Sequence, residues 1–550
     1  MPEAIRLPQP THNDIRTRAA EAPRRGAQSI TARRAERRAN PDLVAEGSFS
    51  RRLGLRLNTA VWMVVAVAIT LVAVPARSQP IKDTLVMGMP LEPTPGLDPT
   101  VGAASAIGEV SLYNIFETLT KINEDGTVSP LLAQSWTVSP DFRTYTFKLR
   151  QGVQFHNAEP FNSRVVRFSF DRAAAAYSVN KDKATFANIE MIDTPDAHTV
   201  VLTLLQGDAD LPFRLGQATA ILVEPKSAST NGINPVGTGP YRLKSWHRGV
   251  SIFLERWEGF RAAATVPLRV VKIKFIHDSS AQIAALLAGD IDALPRADVS
   301  RAMRRLSSDK SFQVLVGLTR TKTILAMNHK RQPLNDVRVR RAIHAAIDRH
   351  AVVDSSVDGL GVPIGSFYAP SAPGYIDTTE INPHHVLQAR ALLTEAGVKL
   401  PLHLSLKIPP ASYAQRGAEV VAAQLARVGI VAKIENLELA QWTATVHTQR
   451  AYDLTLVAHV EPLDFGNLAR PDHYWGYESA AFGRLWPRIA TNGDVLARNR
   501  LMAEAQRLVA VDAAAVYLYQ PHVITVANWR LRGLRKDMPI AVNDLAALSW

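Results

Sequence analysis

The chain contains no cysteine in its 550 residues. That excludes disulfides, cysteine-ligated zinc, thiol catalysis and lipid attachment through an N-terminal cysteine. Two metal and nucleotide signatures are also missing: there is no HExxH spacing and no glycine-rich loop ending in Gly-Lys-Ser/Thr. No G-x-S-x-G elbow marks an acyl-transfer hydrolase. Internal repeats and low-complexity linkers are lacking too. The net charge of +13 is less telling than it looks, because residues 1–78 hold thirteen Arg, no Lys and six acids, or +7. The remaining +6 is spread along residues 79–550 with no basic block beside stacking aromatics, so no nucleic-acid partner is indicated.

With 47% hydrophobic and 21% charged residues, the chain reads as globular, and its length calls for two or three domains. Residues 59–74 (TAVWMVVAVAITLVAV) form an uncharged apolar run of 16, preceded by Arg51, Arg52 and Arg56. Ala76-Arg77-Ser78 then places small residues at positions −3 and −1 of a cleavage before Gln79. This pattern predicts a cleaved secretory signal peptide over the alternative of an uncleaved anchor, since a span needs about 20 apolar residues. Ser50–Arg56 matches a twin-arginine signal in part, with Gly54 where a bulky apolar residue is usual. Residues 1–58 read as a disordered basic region. Without a lipidation cysteine, the expected destination is the periplasm of a double-membraned bacterium.

Along the rest of the chain, strands alternate with helices, which predicts an α/β protein with mixed sheets. Thr84–Met89 reads as a strand, followed by the Pro-rich loop Pro90–Pro99 and a helix over 106–120. Tyr145, Phe147 and Leu149 alternate with Thr146, Lys148 and Arg150, the mark of a half-buried strand. Helices are expected at Ser163–Ala176 and at Ser279–Ala288, the latter closed by Gly289. Strands are expected at Thr199–Leu205, Ser251–Glu255 and Val270–Ile276. Beyond Ile324 the pattern predicts strands at Ile324–Asn328, Leu402–Lys407, Val431–Asn436, Tyr452–Ala458 and Val516–Tyr519. Between them fall helices at Val337–His350, His385–Ala396, Ala414–Val428 and Asp494–Val511. Gly237-Thr238-Gly239 lacks dinucleotide-binding spacing and reads as a tight turn. His156, His344 with His350, and His384-His385 have no clustered carboxylate partner and read as capping or solvated histidines rather than metal ligands.

Residues 112–172 (LYNIFETLTKINEDGTVSPLLAQSWTVSPDFRTYTFKLRQGVQFHNAEPFNSRVVRFSFDR) resemble the signature region of the family 5 solute-binding proteins, receptors of peptide and nickel ABC importers. The resemblance continues through Gly237–Tyr241, Ala281–Ala293, Met327-Asn328, Asn335–His350 and Glu419–Ile430, covering nearly all of residues 82–535. It implies a non-catalytic, two-lobed binding protein fold with an extra domain, mixed sheets and a hinged ligand cleft. The implied regions are 79–120 with 236–325 and 511–550 for the first lobe, 121–235 for its extra domain, and 326–510 for the second lobe. Implied partners are a small-molecule or peptide ligand and the permease and ATPase complex of the inner membrane; a monomer is expected, with no cofactor and no metal.

The segment Leu456–Tyr477 (LVAHVEPLDFGNLARPDHYWGY) leaves a strand of the second lobe, and in relatives the corresponding stretch commonly lines the cleft. Peptide-binding members typically carry a Trp-x-x-Asp-type element there, whose carboxylate pairs with the ligand ammonium. Here His459 and Val460 are followed by Glu461-Pro462-Leu463-Asp464, so Glu461 or Asp464 is the candidate anion, the alternative being loop caps or solvent contacts. From the Pro-rich loop Glu92, Pro93 and Thr94, and next to it Tyr113 and Asn114, face the cleft in the family picture. Trp442, Tyr474 and Trp475 are candidate aromatic walls, with core packing as the alternative, and Tyr413 is a further candidate. Arg470 could grip a ligand carboxylate or serve a surface ion pair. The expected ligand is a short peptide or peptide-like solute; a metal chelate, an opine or a glycan are alternatives, as is a membrane-anchored sensory or chaperone-like role.

Overall fold

A computed structural model describes residues 82–102, 104–299 and 302–550. The predicted signal segment at 59–78, the cleavage before Gln79 and the basic region 1–58 lie outside the described residues. No helix among the described residues is long and apolar enough to cross a membrane.

One strand, Ala515–Asn528, organises the molecule. Its residues from Ala515 to Tyr519 pair antiparallel with Lys322–Met327, and those from His522 to Asn528 pair antiparallel with Phe312–Leu318. On one side of it the sheet continues through Ala293–Leu294, Thr84–Met89, Val270–Phe275, Ser251–Arg256 and Tyr241–His247. On the other it continues through Lys322–Met327, Leu454–His459, Leu402–Ile408 and Ile430–Asn436. Thr84–Met89 lies parallel to Val270–Phe275, and Leu402–Ile408 parallel to Ile430–Asn436, so each half is mixed. Two stretches of backbone therefore cross between the halves, at 318–322 and at 519–522. Lys322–Met327 is buried at every position, as expected of a strand covered on both faces. The sequence predicted only the first part of the long strand, Val516–Tyr519. Pro521 lacks an N–H, and the strand carries on past it where Gly361–Pro363 pairs alongside.

A separate antiparallel sheet has the order Ala133–Val138, Thr144–Leu149, Thr199–Leu204, Ile189–Asp196. Tyr145, Phe147 and Leu149 point into its core, as their alternation predicts. The helix Ser163–Ala174 covers that face, its first turn capped by the Asn162 side chain, which accepts from Arg164 N and Val165 N.

Two helix predictions are corrected. In place of a helix over 106–120, the structure has Ser105–Ser111, because the chain turns at Tyr113 with φ 61. The Asn114 amide donates to the Val110 carbonyl at 3.2 Å and to the Asn543 carbonyl at 2.6 Å, meeting an acceptor the helix leaves open. Val337–His350 divides into Val337–Ala346 and Arg349–Val357. Asp348 caps the second helix by accepting from His350 N and Ala351 N, and a residue in that role has extended backbone. Gly237 and Gly239 press on the carbonyls of Asn114 and Ile115, where a Cβ would clash, so the Gly-Thr-Gly turn is a packing device. His156 closes the same turn, its Nε2 donating to Gly239 O at 3.0 Å and its Nδ1 accepting from Gly237 N at 3.3 Å. His385 likewise acts as a helix cap, accepting from Gln388 N at 3.1 Å.

Candidate functional site

Beside the crossing at 318–322 lie two adjoining cavities of about 470 and 300 Å³, with Arg320 and Pro462 common to both. The larger is mainly apolar, walled by Phe142 and Phe213 from the four-stranded region and by Tyr368, Phe465, Trp486 and Met502 from the far half. The smaller is more polar and brings Lys181, Asp182 and Arg296 opposite Val460 and Glu461. Residues from every part of the described chain thus surround one solute-sized space.

The charges around this space are mostly matched. Arg498 pairs with Asp210 and Arg296 with the buried Glu109. Asp182 accepts from the Thr219 hydroxyl at 2.6 Å. Arg320 is different. It is 5% exposed, lies with its guanidinium 4.9 Å from the Phe213 ring centre, and has no hydrogen-bond partner for its Nε. Burial pushes its pKa down, with Tyr368 and Asp210 acting in the opposite sense.

Of the side chains singled out from the sequence, Glu461 lines the smaller cavity; the others are placed as follows. Asp464 is buried beneath the loop and bonded to the Lys322 ammonium, whose remaining bond goes to the Glu461 carbonyl at 2.7 Å. Burial acts to raise the Asp464 pKa, but Lys322 and His459 outweigh it and hold the carboxyl below its usual range. His459 Nδ1 stands 3.5 Å from Asp464, and its Nε2 is 2.9 Å from the Tyr474 hydroxyl. The atoms of His459, Glu461 and Asp464 lie within 4.8 Å of one another, a spacing that suits a metal, but the Lys322 ammonium already supplies the cation there.

The candidate aromatic walls face inward. Trp442, Tyr474 and Trp475 belong to the core of the far half, with Trp442 Nε1 donating to Thr455 Oγ1 at 3.1 Å. The Tyr413 hydroxyl accepts from Ala458 N at 3.0 Å and so pins the end of a strand. Arg470 is exposed and pairs with Asp472 two residues on. The Tyr113 hydroxyl donates to Gly216 O at 2.6 Å and accepts from Ile122 N at 2.9 Å. Asn114 also accepts from Leu545 N at 3.0 Å, which completes its bonding within the fold. Glu92 accepts from Trp246 Nε1 at 2.8 Å and from Gly249 N at 3.0 Å; Pro93 is buried beside it and Thr94 is exposed. Sequence reasoning missed Arg320, Phe213, Tyr368 and Trp486. A cation in the short Thr319-Arg320-Thr321 link between two strands was the one available signal.

Two half-sheets joined by two crossing strands, with a solute-sized cleft beside one of the crossings, define a two-lobed solute-binding protein. The sequence model of the bacterial extracellular solute-binding proteins, family 5 Middle, matches residues 127–464, and the chain belongs to that family. Membership makes it a binding protein rather than an enzyme. The glutathione-binding protein GsiB of Salmonella typhi is 28% identical over 356 residues, which is 64% of this chain and 69% of that protein. Among solved structures, the periplasmic binding protein AgaA from A. tumefacien R10, in complex with agropinic acid, matches with a TM-score of 0.74 at 24% identity, covering 85% of this chain and 98% of that one. DppA from Helicobacter pylori, in complex with the peptide STSA, matches with a TM-score of 0.73 at 22% identity over the same shares. These two structural matches establish the shared fold.

Proposed function

We propose that this chain is the periplasmic substrate-binding component of an ABC importer, capturing a short peptide or peptide-like solute and delivering it to an inner-membrane permease driven by its ATPases. The observation that carries this reading is the cleft itself, a solute-sized space whose walls come from both halves. A ligand that touches both halves favours the closed arrangement by the difference in its affinity for the closed and open forms. Relatives named for glutathione, agropinic acid and a peptide support a small polar solute of this kind. Glu461 is our candidate for the ligand's ammonium group, because Asp464 is already committed to Lys322. The protein acts as a monomer released by cleavage before Gln79.

Thermal-shift screening against peptides, metal chelates, opines and sugars tests the solute class, since a ligand that binds only the folded state raises its melting temperature. Peptides or peptide-like compounds should stabilise the protein; a shift confined to chelates or sugars would overturn that assignment. N-terminal sequencing of the exported protein should begin at or near Gln79, and a start upstream of residue 59 would sink the released form.

A further inference from the structure

Arg320 is the one buried cation facing the cleft, among the described residues, that has no carboxylate paired with it. Lys181 is exposed and solvated. The acids around the space are Asp210, taken by Arg498, Asp182, bonded to Thr219, and Glu461, exposed at the outer cavity. An unpaired guanidinium removed from water is costly to hold, and arginine keeps its charge at any physiological pH. Its planar fork of donors matches a carboxylate in two parallel hydrogen bonds.

The position is also mechanically defined. Leu318 pairs with His522 and Lys322 pairs with His459, so Arg320 sits on a two-sided anchor at one of the crossings. The Thr319 carbonyl accepts from the side chains of Gln520 and Ser371, which fixes the backbone beneath it. Phe213 covers the guanidinium, and Gly126, with φ 81 in the turn between the paired strands Thr120–Ile122 and Val128–Pro130, comes so close that a Cβ there would displace it. The cation is therefore enclosed by a region whose own residues also wall the apolar cavity next to it.

We infer that Arg320 is the cleft's receptor for a ligand carboxylate, and that the selected solute joins this carboxylate to an apolar or aromatic group seated among Phe213, Phe465 and Trp486. This rests on the importer reading and narrows its ligand to an acid. A carboxylate on Arg320 neutralises a charge that closure buries, so the acid favours the closed form where its amide does not. Trp486 lies in the same cavity and reports occupancy by its fluorescence.

The test is calorimetric titration of the mature protein with matched pairs: Ala-Phe, Ala-Ala-Phe and 3-phenylpropionate, each against its carboxamide, followed in parallel by tryptophan fluorescence. Each acid should bind at least ~10-fold more tightly than its amide, because an uncharged carboxamide leaves the buried guanidinium unneutralised. Arg320→Gln should erase the preference by weakening the acid alone, and Arg320→Lys should restore part of it, as a point charge lacking the fork. Amides that bind as well as acids, or an unchanged acid affinity in Arg320→Gln, overturn the inference; the first comparison uses the unaltered protein and does not depend on any variant folding. If neutral sugars or cationic chelates bind while no acid is preferred, the inference fails and the importer reading stands. If no solute of any class binds, both fail.

Discussion

Glu461 and Asp464 are three residues apart, yet one carboxylate faces the cleft and the other is sealed against Lys322. Asp464→Asn should therefore act on stability, lowering the unfolding free energy by about 3 kcal/mol in urea titration, because it leaves a buried ammonium without its counter-ion. Glu461→Gln should leave stability nearly unchanged and weaken binding of a ligand carrying an ammonium group by about 10-fold, the scale of a lost charge-assisted hydrogen bond. Equal melting temperatures for the two variants would contradict this division. The same residues show what was legible beforehand. The segment Leu456–Tyr477 does border the cleft, through Val460 to Phe465, because a chain leaving the end of a core strand must emerge at its edge. Which of its side chains turn outward was not legible. Lys322, which claims Asp464, is 142 residues away in sequence, and nothing local announces the pairing.

Elements were readable where local signals decide them. Thr84–Met89 and Ser279–Ala288 form as predicted, the latter between an Asp278 cap and Gly289 at φ 77. They failed where a distant partner intervenes, as at Asn114, whose amide is drawn to the Asn543 carbonyl across most of the chain. The apolar spacing of Val337–His350 runs unbroken through Asp348, but this side chain caps the second helix while Gln424, 76 residues on, accepts from its backbone N–H at 3.0 Å. Asp348→Ala should cost about 1 kcal/mol, the usual worth of a helix cap, measured by chemical denaturation. No loss of stability would mean that the break is imposed by packing alone.

At the scale of the molecule, the four-stranded region touches the far half through the Arg498–Asp210 pair and a hydrogen bond from Ala209 N to Ala490 O at 2.8 Å. Asp210→Ser should shift the ligand-free protein toward an open form by ~1 kcal/mol, about a fivefold change in the open-to-closed ratio. Small-angle scattering should show it as a larger radius of gyration that ligand reverses; an unchanged radius would show that the pair does not help hold the halves together. Stability should also fall with acid. Burial lowers His156 and His447 to about 4 and His329 and His473 to about 3, against the ordinary 6.5. Each therefore takes up its proton more readily in the unfolded chain, so stability is intact above 6.5 and declines as pH drops from there toward these lower values. Denaturant titrations at pH 7.5 and 5 should differ in that direction, and a flat profile would contradict the burial of these rings.

The strand Ala515–Asn528 has one more consequence, which concerns the order in which the molecule is made. Both half-sheets use it as a member, and every other strand of the sheet precedes it in the sequence. Neither half can close its ladder until residues 515–528 have been synthesised, so native folding of the sheet waits for this strand rather than proceeding piece by piece from the front. Non-local pairing of this kind folds slowly because the loops it closes are long. The sheet thus has a built-in delay, and the segments before residue 515 lack their shared partner for as long as the central strand is unmade.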